Sequence, residues 1–153
     1  MTEALDVGAG AFADAGEHVF PLRVYYEDTD FTGVVYHANY LRFFERGRTE
    51  CLRAAGVGHA ELLEGPDPCA FAVTRMTIAF RRPAHIDDAL TVRTRLKTAG
   101  RVRLAADQRL FRGDDLLADA DVEIVCIRPG GGPRRLPSEI ARRLAAIPGG
   151  RTP

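Results

Sequence analysis

The chain has no tryptophan, a single lysine (Lys97) beside twenty arginines, and only three cysteines, none in a C-x-x-C spacing. An odd, scattered set of Cys51, Cys69 and Cys126 fits neither a disulfide framework nor a cysteine-ligated zinc site, and suits a reducing compartment. Net charge is absent as well: Lys+Arg and Asp+Glu both number 21 and the pI is about 6.9. Without a global field the chain has no electrostatic means of gathering nucleic acid or an anionic membrane. No segment approaches the ~20 apolar residues of a membrane span. Residues 1–20 carry Glu3, Asp6, Asp14 and Glu17 with no basic start, the wrong pattern for a secretory signal. Together these features predict a cytoplasmic protein. Also missing are the G-x-S-x-G elbow, the G-x-x-x-x-G-K-[ST] phosphate loop, the H-E-x-x-H zinc motif and a dinucleotide fingerprint. His37, His59 and His85 share no metal-ligand spacing with carboxylates or cysteines, so neither a metal nor a resident cofactor is expected.

What is present suffices for one ordinary core: 153 residues, of which 46% are hydrophobic. Residues 1–18 are rich in Ala, Gly and acids without periodicity and read as a poorly ordered arm, so the folded domain is expected over residues 19–129. Leu22, Val24 and Tyr26 alternating with Arg23 and Tyr25 predict a strand over residues 20–27, closed by the turn-forming run Asp28-Thr29-Asp30-Phe31-Thr32-Gly33. An amphipathic helix follows. Tyr40, Leu41, Phe44, Cys51, Leu52 and Ala55 share one face, Gly47 and Arg48 take the intervening turn, and Gly56 is the stop signal. A short helical turn at residues 60–63 leads into the loop Gly65-Pro66-Asp67-Pro68. Four strand-like runs come next, over residues 71–81, 89–98, 102–112 and 116–127, the last two turns being tight enough for hairpins; they read as an antiparallel meander. Residues 130–153 form a tail in which residues 137–147 suit a short helix. One strand, one helix and four strands make an α+β domain with a five-stranded antiparallel sheet around one helix. A helix of about 18 residues is ~27 Å long, comparable to the width of such a sheet. One helix covers one sheet face only partly and an open sheet keeps two edges, so pairing with a second copy is expected.

The stretch YYEDTDFTGVVYHANYLRFFERGRTE, residues 25–50, brings a carboxylate cluster, a glycine turn and a helix start together. It resembles the signature of hotdog-fold acyl-CoA thioesterases of the 4-hydroxybenzoyl-CoA thioesterase type, and especially the Tol-Pal-associated branch. Arg82-Pro83-Ala84 and Asp87-Asp88, with the element order, extend the resemblance to about residues 20–130. Thioester hydrolysis needs a group that attacks the carbonyl or deprotonates water, and donors for the developing oxyanion. Asp30 lies just before the helix, where the free N–H groups near Tyr36 to Ala38 and the positive end of the helix dipole point outward. The resemblance implies Asp30 as nucleophile or general base and the His37 backbone N–H as oxyanion donor, with Gly33 turning the chain and Tyr36 at the helix mouth. Asp28 shares the strand parity of Asp30, and only the family pattern separates them; Glu27 and Asp28 are expected to be solvated or paired with Arg23 or Arg48. Tyr26, Tyr36, Tyr40, Phe43 and Phe44 are expected as core or pocket wall.

A coenzyme A thioester also carries phosphates, for which Arg81, Arg82 and Arg128 are the candidates. Coenzyme A enters only as part of the substrate. The resemblance further implies a homodimer or homotetramer with the pocket at the subunit interface. Three rivals remain open: a thioesterase for acyl carrier protein docking on Arg134, Arg135, Arg142 and Arg143; a non-catalytic acyl-CoA-binding or envelope-complex protein; and a hotdog dehydratase.

Overall fold

Apolar–polar alternation sets the sheet, and a mid-helix glycine sets how closely the helix lies on it. The structure, a computed structural model, describes residues 8–148. Its elements are β1 (Ala11–Phe12), β2 (His18–Arg23), α1 (His37–Ala54), α2 (His59–Glu64), β3 (Ala70–Phe80), β4 (Ala89–Thr98), β5 (Arg103–Arg112), β6 (Asp115–Ile127) and α3 (Ser138–Ala145). The strands form one antiparallel sheet in the order β1-β2-β4-β5-β6-β3. In β4 and β5 every second residue is buried, Leu90, Val92, Thr94 and Leu96 against Leu104, Ala106, Gln108 and Leu110. That is the period-2 signature of a sheet with one covered face.

Three expectations are corrected. Residues 8–18 are part of the fold rather than an arm: β1 pairs with β2, and His18 is fully buried. Glu17 anchors this segment through Arg93, Arg95 and Arg109, at 3.2, 3.4 and 2.8 Å. The remainder of the expected arm, residues 1–7, lies outside the described residues, as does the end of the tail. The sheet has six strands rather than five, and the strands after the helix are not a simple meander. β3 pairs with β6 at the far edge, and residues 81–88 cross the end of the sheet to reach β4. Finally, the strand expected to run to residue 27 ends at Arg23, and residues 26–28 form a single 3-10 turn that leaves Tyr26 exposed.

The buried face of α1 is Tyr40, Phe43, Phe44, Gly47, Arg48, Cys51 and Leu52, while Leu41, expected inside, is exposed. Gly47 is required by close approach: a Cβ there would sit 2.5 Å from Val92 Cγ1 and 3.2 Å from both Gln108 Nε2 and Thr94 Oγ1. Beside it a buried polar network joins helix to sheet. Arg48 donates to Gln108 Oε1 at 3.0 Å, and Gln108 Nε2 donates to Phe44 O and Thr94 Oγ1 at 2.8 and 2.9 Å. Among the described residues no helix is long and apolar enough to cross a membrane.

Candidate active site

The segment between β2 and α1 is held from two sides. Val24 and Asp87 join β2 to the crossing loop, with Val24 N–H donating to Asp88 O and Asp87 N–H to Val24 O. Val35 N–H donates to Ala84 O at 2.8 Å, and Ala84 N–H donates to the buried Tyr40 hydroxyl at 3.0 Å. The crossing loop therefore fixes the entry of α1. Beneath it, Asp28 is buried, contrary to the expectation of a solvated or arginine-paired side chain. Its carboxylate accepts from Tyr25 N–H and Asn39 Nδ2, both at 2.8 Å, and its carbonyl accepts from Tyr36 N–H. Arg23 instead donates to Asp87 O, and Arg48 to Gln108.

Asp30 is the other kind of carboxylate. It lies exposed on the small turn where Asp30 N–H donates to Val34 O and Gly33 N–H to Asp30 O. Gly33 has φ +82°, a conformation open to glycine without strain, and nothing crowds the place of a Cβ, so the demand there is conformational. Thr32 donates both its N–H (2.7 Å) and its hydroxyl (2.6 Å) to Asp30 Oδ1. Those two Thr32 bonds, helped by the nearby His37 charge, hold the Asp30 carboxyl below its ordinary range. Oδ2 has no protein partner among the described residues, so it is available for chemistry.

The mouth of α1 is uncapped. Tyr36, the N-cap, makes no side-chain capping bond, and no acidic residue lies in the first turn. Asn39 N–H is used by Tyr36 O and Tyr36 N–H by Asp28 O, so Tyr36 is not a free donor as the sequence suggested. His37 and Ala38 N–H have no acceptor among the described residues. They keep the positive end of the helix dipole open to an anion. Beside them a groove of about 310 Å³ is lined by Val35, His37, Tyr40, Phe80, Arg81, Arg82 and Pro83; Asp30 is outside this lining. The His37 ring packs against Tyr36 at 4.6 Å and edge-on to Phe80 at 6.3 Å.

Arg81 and Arg82 therefore join His37, each already bonded to β6, to Asp119 at 2.5 Å and Asp115 at 3.2 Å. Arg128 does not. It follows the other end of β6, nine residues beyond Asp119 or up to roughly 30 Å away at ~3.3 Å per residue, and lines a separate cavity with Asp67 and Arg134. Of the C-terminal arginines, Arg134 is tied to Asp67, Arg142 to Glu139, and Arg143 to Glu139 and Gly56 O. Asp28 and Asn39 were missed as site residues. The signal for them was the acid and amide eleven residues apart across the turn, which only the fold brings together.

The profile of the thioesterase superfamily matches residues 32–118, more than half of the chain. The chain belongs to the thioesterase superfamily. The match includes Gly33 and His37 and starts two residues after Asp30. Among its relatives, an acyl-CoA thioester hydrolase named YbgC from Escherichia coli O6:H1 is 42% identical over 123 residues, covering 79% of this chain and 90% of that protein. An acyl-CoA thioesterase named YbgC from Haemophilus influenzae is 44% identical over 111 residues, covering 72% and 81%. A solved structure of a probable thioesterase from Bartonella henselae superposes with a TM-score of 0.76 at 47% identity, covering 79% of this chain and 99% of that one. This superfamily member accordingly has the α+β hotdog fold, a long helix against an antiparallel sheet.

Proposed function

We propose that this thioesterase is a cytoplasmic acyl-CoA hydrolase in which Asp30 acts on the thioester carbonyl and the His37 N–H holds the oxyanion. One observation supports the reading: Asp30 keeps a carboxylate oxygen without a partner among the described residues and feels the charge of His37, the first residue of the uncapped helix. In one route Oδ2 adds to the carbonyl carbon, the C–S bond breaks, coenzyme A leaves as thiolate, and water hydrolyses the mixed anhydride. In the other, Asp30 takes a proton from water as the water adds, and the proton passes to the leaving sulfur. Both routes need the oxyanion donor, a class of interaction worth ~2.7–4 kcal/mol of barrier.

Arg81 and Arg82, which line the His37 groove, suit the phosphates of coenzyme A. Arg128 would reach them only from a second copy. A homodimer, or a homotetramer built from it, is consistent with the free outer edge of β3 and the half-exposed Val73 and Phe80 on its inner face. Of the four arginines of the carrier-protein alternative, Arg134, Arg142 and Arg143 are paired within the chain and the exposed Arg135 is left for docking. The Tol-Pal association implied by the motif belongs to this reading as a partner in addition to catalysis.

The test is thiol release by the purified protein from a panel of acyl-CoAs, run beside acyl carrier protein thioesters and beside dehydration of 3-hydroxyacyl thioesters. Release from acyl-CoAs is expected to dominate. Turnover confined to carrier thioesters or to dehydration would replace the reading.

A further inference from the structure

α1 packs chiefly over β4 and β2 and less over β1 and β5, which leaves the inner face of β3 incompletely covered. Phe71, Val73, Met76, Ile78 and Phe80 oppose buried residues of β6 and so point inward, yet Val73 and Phe80 are half-exposed. Across from them α1 presents His37, Leu41, Glu45 and Thr49 at four-residue spacing, one stripe of a helix. The His37 groove and a second cavity, which share no lining residue, lie along this one stripe of α1.

Further along α1 is that second cavity, of about 120 Å³, lined by Arg48, Leu52, Phe71 and Val73 together with the polar Glu45 and Thr49. Arg48 is only 8% exposed. Among the described residues its one hydrogen bond goes to the neutral Gln108 amide and it forms no salt bridge, although the Glu45 charge is near enough to act on it. A guanidinium has five N–H donors. The others are neither bonded nor sealed from solvent, so they open on the cavity. Gln108 Oε1 takes one of the five, while its Nε2 is spent on Phe44 O and Thr94 Oγ1. A buried guanidinium that meets one neutral acceptor and turns its other N–H groups to a small cavity can receive an oxygen there.

We propose that Arg48 receives an oxygen carried at the far end of the acyl chain, so that the substrate class is a medium-chain acyl thioester oxygenated at or next to its last carbon. This rests on the thioesterase reading for the position of the thioester. Glu45, whose carboxylate accepts from Thr49 at 2.8 Å, borders the same cavity and favours a hydroxyl or keto oxygen over a second carboxylate. Arg48 lies eleven residues along α1 from His37, about 16 Å at 1.5 Å per residue, shortened by the lean of helical side chains toward the N-terminus. That span suits a flexible chain and exceeds a single aromatic ring.

The experiment compares kcat/KM for decanoyl-CoA, 10-hydroxydecanoyl-CoA and the ω-carboxylated analogue. In the unmodified protein the hydroxylated chain is expected to exceed the plain one by about tenfold to a hundredfold, the range for a hydrogen bond to a charged group. Arg48→Met should bring that ratio to about one. Because Arg48→Met also disturbs Gln108, Val73→Trp serves as a second variant: it fills the cavity from the exposed side of β3 and should erase the same ratio. Calorimetric binding of the two thioesters to Asp30→Asn reads the preference without turnover. Equal kcat/KM or equal affinity for the plain and hydroxylated chains overturns the proposal. Absence of thiol release with the binding preference intact instead overturns the hydrolase reading and leaves this site standing.

Discussion

Two carboxylates two residues apart have opposite tasks, and substituting each in turn separates them. Asp28→Ala removes the acceptor for Asn39 Nδ2 and for Tyr25 N–H. Asn39 is buried, so its amide is left without a partner, whereas Tyr25 is exposed and its N–H can turn to water. A hydrogen bond to a charged group contributes about 1.5–3 kcal/mol and one that water can replace about 1 kcal/mol or less. The expected loss is therefore ~3 kcal/mol, read as a shift of the urea midpoint at unchanged slope. Thiol release should fall too, because the same carboxylate holds the entry to α1 at whose mouth the oxyanion site lies. Asp28→Asn keeps the volume and one acceptor and should fall between. Asp30→Asn, on an exposed turn, should leave the urea midpoint in place. An Asp28→Ala midpoint within the scatter of the unmodified protein would refute the bracing role. So would an Asp30→Asn protein destabilised as much as Asp28→Ala.

Thr32→Val removes the hydroxyl bond to Asp30 Oδ1 but keeps the N–H bond. Since the hydroxyl is the larger cause of the lowered carboxyl pKa, the acid limb of kcat/KM should move to higher pH, and Thr32→Ser should restore it; an unmoved limb would detach Thr32 from the site. At Glu17, burial alone would raise the carboxyl, but the Arg109 and Arg93 bonds and the Arg95 charge outweigh it and the net shift is downward. A lowered folded pKa means stability that is present above the unfolded carboxylate value and is lost as pH falls through the folded one. Glu17→Gln should accordingly cost ~1–3 kcal/mol near neutrality, below the cost of breaking a fully buried pair because the arginines are 40–48% exposed. That cost should shrink toward zero in acid, as urea titrations of both proteins from pH 7 downward will show.

The long helix, the paired turns and the strand runs were legible because each is a local periodicity. β1 was not, being two residues long in an Ala/Gly-rich stretch and held by Glu17 through arginines more than seventy residues away. The crossing of β3 to the far edge was likewise invisible, since strand order follows long-range pairing and residue alternation reads the same in either arrangement. Gly47 gave a usable hint: an isolated glycine within a helical pattern often marks a close approach, and here Val92 is what approaches. Arg48 shares the buried face with Phe44 and Cys51, a position its spacing alone gives, although its charge argued for the outside. Asp28 and Asp30 could not be told apart by spacing, because their difference is made by Asn39 on one side and Thr32 on the other.

The central claim is that the Asp30 carboxylate performs the chemistry at the mouth of α1. Single-turnover thiol release from saturating acyl-CoA, by the unmodified protein and by Asp30→Asn, tests it most directly. A rate loss of at least about a hundredfold, the lower range for a positioned acid or base, with substrate affinity and the urea midpoint retained, is the expected result. Equal single-turnover rates would contradict the account.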